Sequence, residues 1–335
     1  MSARRWALIG LAGTAALGLL LRLTFAGVSG LPLTGHPAWL RHAHSHLGYY
    51  AFVFPALWLA WRGGWRPSGP TLHVYAATSF ATCGAFALQG YAAPSIVGST
   101  LVGAVWAVFA WRLGPLRWLR GDWQDAAAPA VLLALCLVPP VAVLTRRDPV
   151  LAAGLVRTFL TLLLVGATLP ALVGRASVPG ALWLPAATLA AVGGGLGLAW
   201  ARLLGYGAAA VLLAVGILRA SPREGGGRRD RLMAAQWWAV AAGFGAYALG
   251  LFPSSHFASI AGVHFIALGP VATSTALRGR ARGSTGWLYV GLVAAMSSAI
   301  VLMGASTFDP RALQAVAAAT GAGILAFAIW WAVRG

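Results

Sequence analysis

The sequence predicts an all-α, polytopic integral membrane protein, and three observations support this fold class. Hydrophobic residues make up 59% of the chain, only 9% of residues are charged, and the mean hydropathy is +0.78. A water-soluble domain needs a polar surface and does not reach these values. Apolar runs of roughly 20 residues, the length of a membrane-spanning helix, follow one another along the chain. We therefore expect a multi-pass protein of a bacterial-type inner (plasma) membrane.

Apolar runs bounded by Arg, Pro and Gly give about twelve predicted spans. They cover residues 6–26, 45–61, 71–91, 94–111, 127–145, 149–173, 180–199, 202–218, 233–252, 256–277, 285–305 and 312–332. The boundary between the seventh and eighth spans depends only on Gly193-Gly194-Gly195 and Arg202. No fixed-period repeat is visible, so the sequence predicts a single transmembrane domain over residues 1–335.

The arginines predict the orientation of these spans. With the N-terminus in the cytoplasm, 17 arginines fall in cytoplasmic loops and ends and five in outer loops, in agreement with the positive-inside rule. Both termini are then cytoplasmic. The net charge of +18 is explained by this orientation and by contact with anionic membrane lipid. No basic domain interleaved with aromatic residues is present, so we expect no nucleic-acid partner.

The residues that the spans lack restrict the chemistry. The chain has no lysine, which argues against a Schiff base or a lysine nucleophile. All six carboxylates fall in predicted loops or at span ends: Asp122, Asp125, Asp148, Glu224, Asp230 and Asp309. Ion-driven transporters usually keep an acidic residue in mid-membrane, and a carboxylate-bridged di-iron site needs several. The sequence therefore favours neither class.

Histidines remain in the spans, from which other charged residues are almost completely absent. His42 and His44 precede the second span and His46 opens it, His256 opens the tenth, and His264 follows eight residues later. On a helix His42 and His46 share one face, while His44 points nearly opposite. Imidazole in lipid is costly unless it is paired, hydrated or metallated, and neutral imidazole suits haem iron and copper. The sequence predicts a metal or haem site on helices 2 and 10, in the outer half of the bilayer.

Arg157 is the arginine predicted deepest in a span. It should face a polar cavity or an anionic group such as a haem propionate, or else donate hydrogen bonds to the carbonyls of a broken helix. Arg22 lies close to the outer end of the first span and can extend to the interface. His73 is predicted as an interfacial histidine, and His36 lies in the loop before the second span.

Two segments resemble a known family. The run from His42 to Gly48, HAHSHLG, resembles the H-A-H start of an early helix in the NnrS family of haem- and copper-containing membrane proteins. The segment with His256, Leu268-Gly269 and the basic end at 278–280 is similar too. NnrS-like proteins are distantly reminiscent of the twelve-helix catalytic subunit of haem-copper oxidases, in which helices 2 and 10 supply the haem ligands.

The resemblance implies haem, with copper as a further possibility, and axial ligands from His42 or His46 and from His256 or His264. It also implies handling of nitric oxide or another small gas, or redox chemistry by an oxidoreductase with a periplasmic electron donor. The chain departs from the family pattern at Ser45, where an acidic residue is expected. The copper-binding histidines on helices 6 and 7 of an oxidase have no counterpart either, which argues against oxygen reduction with proton pumping.

Two alternatives stay open. The first is a histidine-only copper centre of a membrane oxidase or monooxygenase, acting on an apolar small molecule, with Tyr49 and Tyr50 as phenols one turn away. Its metal ligands would be His42, His44, His46, His256 and His264. The second is a permease without ion coupling, in which Gly193-Gly194-Gly195 and Pro139-Pro140 mark broken helices.

Overall fold

The structure is a computed structural model of the chain, and it describes residues 2–28, 37–60, 69–173, 178–219, 228–253, 255–277, 284–305 and 307–334. These residues form helices, turns and one isolated β-bridge between Asp122 and Pro179, with no strand among them. The all-α prediction is confirmed. His36 lies outside the described residues.

Twelve helical stretches, named α1 to α12, run through the described residues, besides a single 3-10 turn at Arg117–Leu119. They are α1 Ala3–Phe25, α2 37–60, α3 Gly69–Gln89, α4 Ala93–Leu113, α5 123–147, α6 Pro149–Val173, α7 Gly180–Leu196, α8 Ala199–Arg219, α9 Arg228–Ala248, α10 Ser255–Ala276, α11 Ser284–Leu302 and α12 Pro310–Arg334. Eight of them are long and apolar enough to cross a membrane, namely α1, α4, α5, α6, α8, α10, α11 and α12. The other four are shorter or more polar, so the multi-pass character is shown and the count of twelve spans stays a prediction.

Three of the helices contain a π-helical segment in mid-helix. These segments are Gly48–Val53 in α2, Leu162–Thr168 in α6 and Ala267–Val271 in α10. The π-segments thus recur in the second, sixth and tenth helices. Each has a proline beside it or inside it, since Pro55 and Pro170 follow their segments by two residues and Pro270 lies within its own. Because proline has no N–H to donate, it disturbs the backbone hydrogen bonds of the turn before it.

The chain divides into two compact units. Unit 1 comprises residues 1–59, 66–105 and 267–335, and unit 2 comprises residues 60–65 and 106–266. In unit 1, α1 packs against α2, α12 and the end of α10, while α2 packs on α3 and α11 on α12. In unit 2, α7 packs between α6 and α8, and α9 packs on α8.

Hydrogen bonds within unit 1 agree with an up-and-down alternation of its helices. At one set of helix ends, Arg22 of α1 donates a 3.1 Å hydrogen bond to Gln314 of α12. At the opposite ends, the guanidinium of Arg4 donates to the carbonyls of Thr275 and Ala276 over 3.1 and 2.6 Å, where α10 ends. Arg4 therefore caps carbonyls that lack partners within their own helix.

Unit 2 is held together by close glycine contacts between α7 and α8. A Cβ atom on Gly205 would overlap the backbone of Ala190 in α7, and one on Gly193 would overlap the backbone of Arg202. Small residues at these positions let the two helices pack backbone against backbone, as is common in membrane bundles. The glycine run Gly193-Gly194-Gly195 thus lies within α7 and serves helix packing.

Two sequence-based boundaries are wrong. The break between the seventh and eighth helices lies at Gly197 and Leu198, since Gly197 adopts a left-handed conformation (φ 74°) that ends α7. Arg202 therefore lies inside α8 and not at its first residue. Helix α2 begins at Pro37, eight residues before the predicted span, because its first turns are too polar for a hydropathy window to detect. The Pro139-Pro140 break is confirmed, since two helical pieces of α5 meet at Leu137.

Candidate functional site

The predicted site residues occupy the three helices that carry π-segments. His42, His44 and His46 lie on α2, Arg157 lies on α6, and His256 and His264 lie on α10. The α2 histidines belong to unit 1, whereas the other three residues belong to unit 2.

The imidazole ring of His46 in α2 contacts three aromatic rings. Its ring stacks on Phe86 of α3 with centroids 4.0 Å apart and an interplanar angle of 30°. Tyr50 and Tyr91 present their rings edge-on, with centroids 5.2 and 5.9 Å away. These three rings exclude water from much of the imidazole and restrict its rotation.

One ring nitrogen of His46 is already engaged. Its Nδ1 atom lies 2.8 Å from the backbone carbonyl oxygen of His42, one turn earlier. In the tautomer that carries the proton on Nδ1, this N–H donates to the carbonyl and Nε2 keeps its lone pair. Within the described part of the chain, Nε2 makes no hydrogen bond. An imidazole oriented in this way is prepared to ligate through Nε2, because the bond on the other nitrogen fixes both tautomer and ring direction.

His42 lies on the same face of α2, one turn nearer its start. Its ring meets Tyr91 edge-on at 4.8 Å, in the turn that joins α3 to α4. Tyr91 thus touches both His42 and His46, so the i, i+4 pair predicted from the sequence shares one aromatic surround. The phenyl ring of Phe86 completes this group through an edge contact of 4.9 Å with Tyr91.

His44 faces a different helix, as its spacing predicts. Its Nδ1 atom lies 3.0 Å from the carbonyl oxygen of Thr14 in α1, and its ring packs against Gly18. A Cβ atom on Gly18 would come within 2.9 Å of this ring, so the glycine makes room for the imidazole. His44 therefore joins α2 to α1 and does not share the surround of His42 and His46.

The π-segment of α2 follows directly after His46. Phe54 donates its N–H to the carbonyl of Tyr49, five residues earlier, which is the π pattern. The next residue, Pro55, has no N–H to continue that pattern to the carbonyl of Tyr50. The hydroxyl of Tyr75 on α3 donates to this carbonyl instead, over 2.7 Å. A side chain thus replaces the backbone donor that the proline lacks, which keeps a buried carbonyl satisfied.

In unit 2, the two α10 histidines differ in burial. His256 is exposed in the first turn, where its ring contacts Phe257 at 5.5 Å. His264 is partly buried, and its Nδ1 atom lies 2.8 Å from the carbonyl oxygen of Ile260. His264 repeats the geometry of His46, in which the ring nitrogen engages the helix one turn earlier. The π-segment of α10 begins three residues after His264.

Arg157 stands in the corresponding part of α6, five residues before its π-segment. Its Nη2 atom donates to the carbonyl oxygen of Gly195 over 3.0 Å, next to the end of α7. The contact with a carbonyl at a helix break is the one that the sequence left open as the alternative to a haem propionate. In each of the three helices, a predicted site residue thus shortly precedes the π-segment. These residues are His46 in α2, Arg157 in α6 and His264 in α10.

The described residues contain no group of three or more histidine, cysteine, aspartate or glutamate side chains that could hold a metal ion together. His73 is exposed at the start of α3 and meets Trp6 at 5.9 Å, which fits an interfacial residue.

Sequence reasoning missed the aromatic surround and the π-segments. Phe86, Tyr91 and Tyr75 belong to other helices and turns than the histidines, so periodicity along α2 does not select them. The prolines at 55, 170 and 270 gave a usable signal, because proline inside an apolar helix marks a local break of the hydrogen-bond ladder.

No family model matches the chain, and neither the curated proteins nor the solved structures give a match. The likeness to NnrS proteins thus rests on the residues of the sequence alone.

Proposed function

We propose that this protein is a membrane haem protein in which His46 would hold the haem iron, and that it handles nitric oxide or another small gas. The observation that supports this proposal most is the geometry of His46. Its ring is stacked and flanked by aromatic side chains, and its Nδ1 atom is engaged by the helix backbone. A haem ligand needs these features: an apolar shell and a fixed imidazole with Nε2 as the donor atom.

The grouping of the histidines favours haem over a histidine-only copper centre. One or two imidazoles would be enough to hold a haem, because its iron comes bound to the porphyrin. A copper site without a porphyrin needs several side chains around one point. His44 packs on α1, away from His42 and His46, so α2 offers separate imidazoles and not a cluster.

The residues around His46 have positioning roles in this proposal. Phe86 holds the plane of the imidazole by stacking, and Tyr50 and Tyr91 shield its edges from water. The carbonyl of His42 holds the tautomer. When bound, haem supplies an iron that takes up small diatomic gases and changes oxidation state.

His256 and His264 are the other ligand candidates from the sequence, and each belongs to unit 2. His264 has the stronger case, because its Nδ1 is engaged in the same way as that of His46, whereas His256 is exposed. An enzymatic role as an oxidoreductase would require an electron donor, which we expect on the periplasmic side.

The test is a reduced-minus-oxidised absorption spectrum of protein purified from haem-sufficient cells, with metal analysis on the same sample. We expect a Soret band that is lost in His46→Ala and retained in His44→Ala. His44→Ala is the matched control, because it removes an imidazole two residues away that faces α1. Added imidazole should restore the band in His46→Ala, which separates ligand loss from misfolding. Nitric oxide added without oxygen should shift the band of the wild type.

Two results would contradict the proposal. The first is wild-type protein without a Soret band, and stoichiometric copper in that sample would support the copper centre instead. The second is His46→Ala protein with full haem content, which would remove His46 from the ligand set. His42→Ala, His256→Ala and His264→Ala then identify the remaining ligands by the same spectrum.

A further inference from the structure

Unit 2 contains a second polar site that the haem proposal does not use. It lies where the ends of α7 and α9 meet the start of α8, beside the first half of α6. Arg157 of α6 and Arg202 of α8 both reach this place. Arg157 follows the N-cap residue Asp148 by nine residues, which puts it roughly 13 Å along α6.

The tight turn between α7 and α8 brings the two arginines to one place. Gly197 reverses the chain, and Gly193 packs against the backbone of Arg202. Gly195, between these two glycines, presents its carbonyl to the guanidinium of Arg157 at 3.0 Å. Gly195 and Arg202 are separated in the sequence, and the turn between α7 and α8 brings them together. The guanidinium groups of Arg157 and Arg202 therefore lie at the same helix ends.

Tyr247 near the end of α9 lies beside the Arg202 guanidinium. The guanidinium carbon of Arg202 lies 5.7 Å from the centre of the Tyr247 ring. Tyr206 stacks edge-on against Tyr247 at 4.8 Å and completes the wall. Two positive charges and two phenols therefore share one site.

The charges of this site are not balanced by the described residues. The Nε atom of Arg202 is buried and has no hydrogen-bond partner among them. The guanidinium of Arg157 has the carbonyl of Gly195 as its one hydrogen-bond acceptor in the described part of the chain. Two guanidinium groups without a carboxylate partner in an apolar protein are costly, and an anion that accepts several N–H bonds removes this cost.

The surroundings of the site indicate an amphiphilic anion. Large apolar side chains at the same helix ends are exposed, with Leu251 69% and Trp200 60% accessible. Further exposed apolar residues at these ends are Leu196, Leu198, Leu203, Leu204 and Leu249. Two cations beside apolar side chains that face the bilayer match a phosphate headgroup with its acyl chains, because one molecule then contacts both the guanidinium groups and the apolar residues.

We propose that Arg157 and Arg202 form a binding site for the phosphate group of one anionic phospholipid. Arginine suits this role because its planar fork donates two parallel hydrogen bonds to phosphate oxygens. The exposed leucines and Trp200 contact the acyl chains. The inference is independent of the haem proposal, since it requires only residues of unit 2.

The experiment measures the thermal midpoint of detergent-purified, delipidated full-length protein after addition of phosphatidylglycerol, phosphatidylcholine or inorganic phosphate. We expect phosphatidylglycerol to raise the midpoint by on the order of 5 °C, and the other two additions to have little effect. In Arg157→Gln and in Arg202→Gln this shift should fall by at least about half, because each variant loses one fork to phosphate. Arg147→Gln is the matched control, since Arg147 is exposed at the end of α5 in the same unit, and it should keep the full shift.

Three outcomes would overturn the assignment. A full phosphatidylglycerol shift in both glutamine variants shows that the arginines do not bind the lipid. An equal shift with inorganic phosphate alone shows a site for a soluble anion. Loss of haem from Arg157→Gln assigns Arg157 to a haem propionate. If a glutamine variant does not fold, the lysine variant keeps the charge without the fork, and it should show a reduced shift for phosphatidylglycerol.

Discussion

Replacing Gly205 with alanine should separate α7 from α8 and destabilise unit 2. The new Cβ atom would lie 2.6 Å from the Cα atom of Ala190, and closer still to the backbone atoms beside it. Ordinary contact between carbon atoms is about 3.5–4.0 Å, so the helices must move apart by roughly 1 Å. Backbone atoms cannot turn away as a flexible side chain can, so the whole interface takes up this displacement.

The size of the effect follows from that displacement. A gap of about 0.5–1 Å forfeits a quarter to a half of the dispersion energy of the atoms concerned. Overpacking of a tight core costs about 1–3 kcal/mol, and we expect Gly205→Ala within this range. For a domain of the size of unit 2, this free energy lowers the thermal midpoint by roughly 2–10 °C.

Gly207→Ala is the matched control on the same helix. A Cβ atom on Gly207 meets no other atom within 4 Å. Alanine has the higher helix propensity, so this variant should be neutral or more stable by up to about 1 kcal/mol. The assay is a thermal scan of both variants in one detergent, with size-exclusion chromatography to check that each is monodisperse. Equal midpoints for Gly205→Ala and Gly207→Ala would refute the close packing of α7 on α8.

Three further predictions concern unit 1. Tyr75→Phe removes the hydroxyl that donates to the carbonyl in the π-segment of α2, and it should lower the stability by about 1 kcal/mol in a thermal scan. The control Tyr289→Phe removes a buried hydroxyl that has no partner among the described residues, and it should leave the stability unchanged. A larger loss in Tyr289→Phe than in Tyr75→Phe would contradict the assigned bond. Arg4→Gln should lower the stability by about 1–2 kcal/mol, because two charge-assisted hydrogen bonds to the end of α10 are lost. Arg5→Gln changes an exposed side chain and should leave the stability unchanged. Equal thermal midpoints for the two variants would argue against the cap. In Phe308→Cys, the new cysteine between α11 and α12 should react with a membrane-impermeant maleimide added to intact cells. Labelling of this cysteine only after cell lysis would show that the orientation is the reverse of the predicted one.

The sequence predicts the order of helices well because hydropathy reports what lies in an apolar environment. The start of α2 at Pro37 was missed for the same reason, since Arg41 and the histidines lower the hydropathy of a stretch that is nevertheless helical. The end of α7 at Gly197 depends on one backbone angle, which composition does not encode.

The candidate site was predictable only in part. Helical spacing placed His42 and His46 on one face and His44 on another, and the structure has this arrangement. The partners of these faces come from residues far along the chain, such as Phe86 and Thr14, and spacing within α2 contains no information about them. The haem itself stays a prediction that the spectrum tests.

The π-segment of α2 amounts to a single extra residue built into the helix. Because each hydrogen bond there spans five residues and not four, everything after Val53 is turned by about 100° relative to a continuous α-helix. The residues of α2 before the π-segment and those after it can therefore face different neighbouring helices. Deleting one residue between Gly48 and Val53 would restore the regular ladder and turn His46 away from Phe86 while leaving Trp58 in place. Backbone register, and not side-chain identity alone, thus determines what the imidazole faces.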